Sequence, residues 1–195
     1  VSQPVDMEES RSAIQIDASS GRILTARWVP SPNCDKRPTD ATLDLVVVHG
    51  ISLPPDDFEG HWIEAFFTNR LDPDAHPYFK EICDLRVSAH LLIRRSGELI
   101  QFVSFNDRAW HAGVSCYEDR ANCNDFAIGI ELEGTDETPY SDLQYQQLVH
   151  IIEALVAAYP TLSRDRIVGH CDIAPGRKTD PGPSFDWDRL KTALG

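Results

Sequence analysis

Apolar positions along this chain fall into two periods. Residues 43–49, LDLVVVH, are a nearly continuous β-branched run, the pattern of a strand buried on both faces. Over residues 57–70, Trp62, Ile63, Phe66 and Phe67 share one side of a predicted helix. Residues 71–86 carry Pro73 and Pro77 and predict a long loop. RVSAHLLI and ELIQFVSF flank Ser96 and Gly97 and predict a hairpin. FAIGIELE, residues 126–133, predicts a further strand, with Phe126, Ile128, Ile130 and Leu132 on its core face and Ala127, Gly129, Glu131 and Glu133 on the other. Ser141 and Gln144 make a capping box. Leu148, Ile151, Ile152, Leu155 and Val156 then keep helical spacing until Tyr159 and Pro160 stop the helix. RIVGH, residues 166–170, predicts a short strand, and residues 186–193 a last helix. Strands interleaved with one-sided helices predict an α/β fold, with a central mixed β-sheet flanked by α-helices. The expected organisation is a loose arm over 1–20 and one domain over 21–195.

Composition narrows the function. The chain has 195 residues, 42% of them hydrophobic, enough for one real core. Its net charge of −13 repels phosphate backbones, so no nucleic-acid partner is expected. No run reaches the roughly 18 apolar residues of a membrane span, so no membrane partner is expected either. The polar start, VSQPVDMEESRSAIQ, has no apolar signal region, which predicts a cytoplasmic protein. Cys34, Cys83, Cys116, Cys123 and Cys171 are odd in number and lack C-x-x-C spacing, which predicts reduced thiols. Nothing in the chain points to an obligatory protein partner.

One Gly- and Pro-rich stretch, GHCDIAPGRKTDPGP over residues 169–183, reads as an ordered loop dense in ligating and charged groups. His170 ends the short strand that enters it, and Asp180 lies at its far end. His49 ends the buried run 43–49, and strand ends are where α/β sheets place their sites. Two imidazoles and one carboxylate would leave a fourth zinc position open, the catalytic arrangement. Each residue alone is as readily structural: a strand-end His can be a satisfied core group, and Asp180 before Pro181 can be a turn residue. Cys171 is a rival ligand. Glu131 follows two small residues on its face, so a molecule can approach it, and it is a candidate general base. Lys178 is a candidate oxyanion stabiliser.

VVVHGISLPP, HPYF, RVSAHLLIRR, RAWHAGVS, CNDFAIGIELEGTD and GHCDIAPGRKTDPGPSFDW together resemble the AmpD-type 1,6-anhydro-N-acetylmuramoyl-L-alanine amidases, relatives of phage amidases and peptidoglycan recognition proteins. The likeness runs from about Arg22 to Leu190. It implies Zn2+, one per chain, on His49, His170 and Asp180, with Glu131 and Lys178 catalytic and Cys171 a bystander. It implies hydrolysis of the amide between the lactyl group of anhydro-N-acetylmuramic acid and L-alanine in cytoplasmic peptidoglycan recycling, on a small-molecule muropeptide substrate. Trp110, His111, Arg86 and Arg177 are candidate substrate contacts, and Arg120 a further one. Two other readings stand beside this: an amidase acting on intact cell wall, and a muropeptide-binding module without catalysis. The filled ligand and catalytic positions favour an enzyme. One position departs from the family pattern. Many members carry Asn after the first ligand, where this chain has Gly50, so an amide available to the stem peptide is absent.

Overall fold

A computed structural model describes residues 14–195. Four short strands come first: β1 (Ile16–Asp17), β2 (Arg22–Ile23), β3 (Arg27–Trp28) and β4 (Cys34–Lys36). The long strand β5 (Leu45–Ile51) leads to helices α1 (Trp62–Phe67) and α2 (Phe79–Ile82). Next come β6 (Leu91–Ile93), β7 (Leu99–Gln101), β8 (Asp107–Ala109), β9 (Cys116–Tyr117) and β10 (Arg120–Ala121). The chain ends with β11 (Ala127–Glu133), α3 (Asp142–Ala158), β12 (Ile167–Gly169), α4 (His170–Ile173) and α5 (Trp187–Leu194).

Six strands make one sheet in the order β12-β5-β11-β6-β7-β3. β12, β5, β11 and β6 are parallel neighbours, and the predicted hairpin β6–β7 supplies the antiparallel pair. The mixed sheet with helices on its faces is the expected α/β architecture. On one face Ile128, Ile130 and Leu132 meet Leu148, Ile151, Ile152 and Leu155 of α3 and Leu190 of α5. Each such side chain contributes about 1.5–3 kcal/mol by leaving water. The predicted capping box opens α3: Ser141 Oγ accepts from Gln144 N–H at 3.2 Å, and Gln144 Oε1 accepts from Ser141 N–H at 2.9 Å.

Several expectations are corrected. All seven residues of β11 are buried, its second face included: Ala127 packs with Ala112, Cys123 and Ile173, and the His111 ring lies against Gly129. The helix expected over 57–70 is only α1, because Gly60 before it and Asn69 after it take left-handed backbone (φ +78° and 58°). The loop expected over 71–86 contains α2, which buries Phe79 and Ile82. Stretch 169–183 is not all loop, since α4 opens it, with Asp172 Oδ2 accepting from Gly169 N–H at 2.7 Å. Of the expected arm, residues 1–13 lie outside the described residues, and β1 pairs with β2.

Candidate metal centre and active site

Strand register brings the first groups together. β5 and β11 pair His49 with Glu131, so the two share a face on adjacent strands. β12 pairs Gly169 with Val48, which sets the next residue, His170, beside His49. Asp180 arrives from the far side of the loop. Cys171 N–H donates to Asp180 O at 3.0 Å, and Tyr140 Oη donates to Pro181 O at 2.9 Å, so the carboxylate is held from both sides.

The three candidate ligands converge. His49 Nδ1 and His170 Nδ1 are 3.0 Å apart. Asp180 Oδ2 is 3.1 Å from His170 Nδ1 and 3.3 Å from His49 Nδ1. His170 Nε2 lies 3.2 Å from the Ala112 carbonyl, which can only accept. The His170 proton therefore sits on Nε2, and its Nδ1 presents a lone pair to two other acceptors. A cation between the three atoms would satisfy them together. Tetrahedral zinc with N and O ligands near 2.0–2.1 Å would space them by roughly 3.3 Å, so the donor set fits. Burial lowers the His49 pKa to about 4, which keeps that ring neutral and leaves it one unprotonated nitrogen to ligate with. Burial pushes the Asp180 carboxyl up, but the neighbouring His170 and His49 rings outweigh it and hold the group well below its usual range. Among the described residues this is the one group of His, Cys, Asp and Glu side chains close enough to share an ion, and Cys171 is outside it.

Glu131 stands beside this cluster. It is buried, and its Oε2 has no hydrogen-bond partner. Burial raises its pKa well above the usual carboxylate value, Asp180 raises it further, and Lys178 pulls it back. The room that Gly129 leaves on the same face is filled by His111, whose ring lies where a Cβ on Gly129 would be. His111 Nδ1 is 2.9 Å from His49 Nε2, and His111 Nε2 is buried without a partner. A cavity of about 290 Å³ opens over these groups. His49, His111, Glu131, His170, Lys178 and Asp180 line its polar end, and Phe66, Tyr78, Ile82, Leu85 and Val87 its apolar wall. A larger groove of about 490 Å³ between α3 and α5 holds Leu143, Val149 and the half-buried His150. That groove has no ligand cluster, so the smaller cavity is the better site.

The remaining candidates scatter. Lys178 lines the cavity from an exposed position. Arg177 donates to the carbonyls of Ala112 and Val114, both at 2.7 Å. Trp110 Nε1 donates to Asp35 at 3.2 Å, and exposed Arg86 donates to Cys83 O and Leu85 O. Neither Trp110, Arg86 nor Arg177 lines the cavity. Arg120 pairs with Asp44 at 2.8 Å. Two other arginines are taken up by acids: Arg94 is paired with Glu133 and Glu64, and Arg108 with Asp35 and Asp125. Tyr140 escaped the sequence reading. Its ring and hydroxyl occupy the places where Cβ atoms on Gly134 and Gly50 would be, so Gly50 is the seat of the phenol that holds Pro181. Two glycines far apart in sequence were its only trace.

Residues 39–183 match the family model described as N-acetylmuramoyl-L-alanine amidase. The chain is 60% identical over 174 residues to the 1,6-anhydro-N-acetylmuramyl-L-alanine amidase AmpD of Escherichia coli K12, covering 89% of this chain and 94% of that one. A crystal structure of a selenomethionine AmpD derivative superposes with a TM-score of 0.89 at 56% identity, covering 93% of this chain and 100% of that one. The Escherichia coli amidase AmiD, solved with the substrate anhydro-N-acetylmuramic acid-L-Ala-D-γ-Glu-L-Lys, is similar at a TM-score of 0.58 and 28% identity, covering 81% of this chain and 60% of that one.

Proposed function

The chain belongs to the N-acetylmuramoyl-L-alanine amidase family, and we propose that it is a zinc enzyme that cleaves the amide between the lactyl group of 1,6-anhydro-N-acetylmuramic acid and L-alanine. The observation that carries this reading is the meeting of three potential ligand atoms, 3.0 to 3.3 Å apart, beside a buried carboxylate with an oxygen unpartnered among the described residues. The high identity to an AmpD amidase supports the anhydro substrate, and the substrate complex of AmiD supports muropeptide binding. Peptidoglycan recycling in the cytoplasm is the setting this substrate implies. No helix among the described residues is long and apolar enough to cross a membrane.

His49, His170 and Asp180 would hold the ion. Zinc, when bound, supplies a Lewis acid that polarises a carbonyl and makes nearby water more acidic. Glu131 takes a proton from the attacking water and returns it to the leaving amine of L-alanine. Its raised pKa suits both halves of that task, because it holds a proton more readily than an exposed carboxylate. Lys178 offsets the negative charge that grows on the carbonyl oxygen. The apolar wall of the cavity keeps bulk water from these groups, which strengthens every charge interaction among them.

Mass spectrometry of products formed from anhydro-N-acetylmuramyl tripeptide tests the reading. Free peptide should appear, stop with a chelator and return with zinc. Intact sacculi in parallel separate the two amidase readings: faster release from sacculi would assign the enzyme to the cell wall. Binding without release would make it a muropeptide-binding module.

A further inference from the structure

The partners of His111 dictate where its proton must be. The reasoning rests on the zinc reading above. A ligand imidazole that meets an ion through Nδ1 carries its proton on Nε2. For His49, that Nε2–H points at His111 Nδ1, 2.9 Å away. His111 Nδ1 must then accept, and a neutral imidazole has only one proton to place, so it sits on Nε2. His111 is buried at the wall of the cavity, and its Nε2 has no partner among the described residues.

We infer that His111 has two roles: it is the positioning residue that fixes the tautomer and orientation of His49, and it presents an unpaired Nε2–H to an acceptor oxygen on the molecule that fills the cavity. The ring is held for this. It packs on Gly129, where any Cβ would overlap it, and lies edge-on to His49 with centroids 5.0 Å apart. The Gly129 N–H donates at 3.0 Å to His90 Nδ1, which pins the backbone beneath the ring. The N–H groups of His111 and Ala112 donate to Asn124 Oδ1 at 3.1 and 2.8 Å, which pins its own backbone. Buried donors are rarely left unpaired, and one that lines a cavity is satisfied by what enters it.

Long-range proton–nitrogen NMR correlations of the imidazoles in ¹⁵N-labelled, zinc-loaded protein read the tautomers directly. The expected result is His111 protonated on Nε2 alone. Protonation on Nδ1, or on both nitrogens, would overturn the inference while leaving zinc binding intact. If His49 and His170 gave the same spectra with and without zinc, the metal reading would fail and the inference with it. Two variants split the roles. His111→Phe removes the acceptor and should lower zinc retention in chelator competition by about 10- to 100-fold. His111→Asn keeps an acceptor oxygen in place of Nδ1 but loses the far donor. It should retain zinc like the unchanged protein and lose roughly three- to tenfold in kcat/KM. Unchanged zinc retention in a folded His111→Phe variant would remove the positioning role, and full kcat/KM in His111→Asn the donor role.

Discussion

Glu131 and Glu133 lie two residues apart on the same face of β11, and both are buried. Glu133 is compensated. Its Oε1 accepts from Arg94 at 2.8 Å and its Oε2 from the Arg95 N–H at 3.1 Å. Burial raises its pKa, and those partners pull it back. Glu131 has an unpartnered oxygen, an acidic neighbour in Asp180, and only Lys178 acting in its favour. Same residue type, same strand and same depth give a structural acid in one place and a reactive one in the other. The difference lies in what the surrounding elements supply: Arg94 and Arg95 end the β6 arm of the hairpin beside Glu133, whereas Glu131 meets the open cavity. A carboxylate that folding leaves unsatisfied costs stability, and a site is where such a cost is tolerated.

The comparison is broken most completely by removing what stands beside Glu131. His49→Ala and Asp180→Ala should each abolish zinc retention and peptide release, read by metal analysis and product mass spectrometry. Retained zinc in either would displace the ligand assignment. Next in size, Glu131→Gln should keep zinc and lose about 10²- to 10⁴-fold in kcat, the usual contribution of a general base. A nearly active Glu131→Gln would falsify that role.

The amino-acid pattern carried the frame further than the details around it. β5, the β6–β7 hairpin, β11, α3, β12 and α5 were all legible, because each has a clear period and strong end signals. α1 was legible but its length was not, because left-handed residues bound it, and α2 was missed within a predicted loop. His49, His170, Asp180 and Glu131 were individually ambiguous. Register resolves them: a parallel pairing of β5 with β11, in step at His49 and Glu131, cannot be read from either strand alone. The same holds for partners from distant loops. Nothing near Glu133 in the sequence announces that Arg94 neutralises it, and nothing near His111 announces that Gly129 makes its seat.

On the structural side of the comparison, Arg94→Met should leave Glu133 buried with only the Arg95 N–H, and take from Glu64 one of its arginines. Breaking a buried pair in this way costs about 3–5 kcal/mol. Urea unfolding should show that loss, whereas zinc retention by the folded fraction should not change. A loss below about 1 kcal/mol, the value of an exposed pair, would mean that water reaches Glu133.

The smallest effect is also the sharpest, because its sign opposes intuition. In metal-free protein, Glu131→Gln should raise the Tm at neutral pH. The pKa of folded Glu131 is raised above the unfolded value near 4.5. Between those two values the folded state holds the extra proton, so unfolding releases it and stability falls as pH rises. The destabilisation is absent below the unfolded pKa, grows through the window and is complete above the folded pKa. Gln has no such proton, so thermal melts of the two metal-free proteins should diverge as pH increases from about 4.5. A Tm gain of about 2–4 °C would correspond to each kcal/mol in a chain of this size. Zinc should narrow the gap, because a cation beside Glu131 favours its ionised form. Burial raises the Glu133 pKa as well, but Arg95 and Arg94 pull it back, so Glu133→Gln should diverge from the unchanged protein by less. If the two substitutions shifted the Tm equally, the two carboxylates would share one environment, and the distinction between them would not hold.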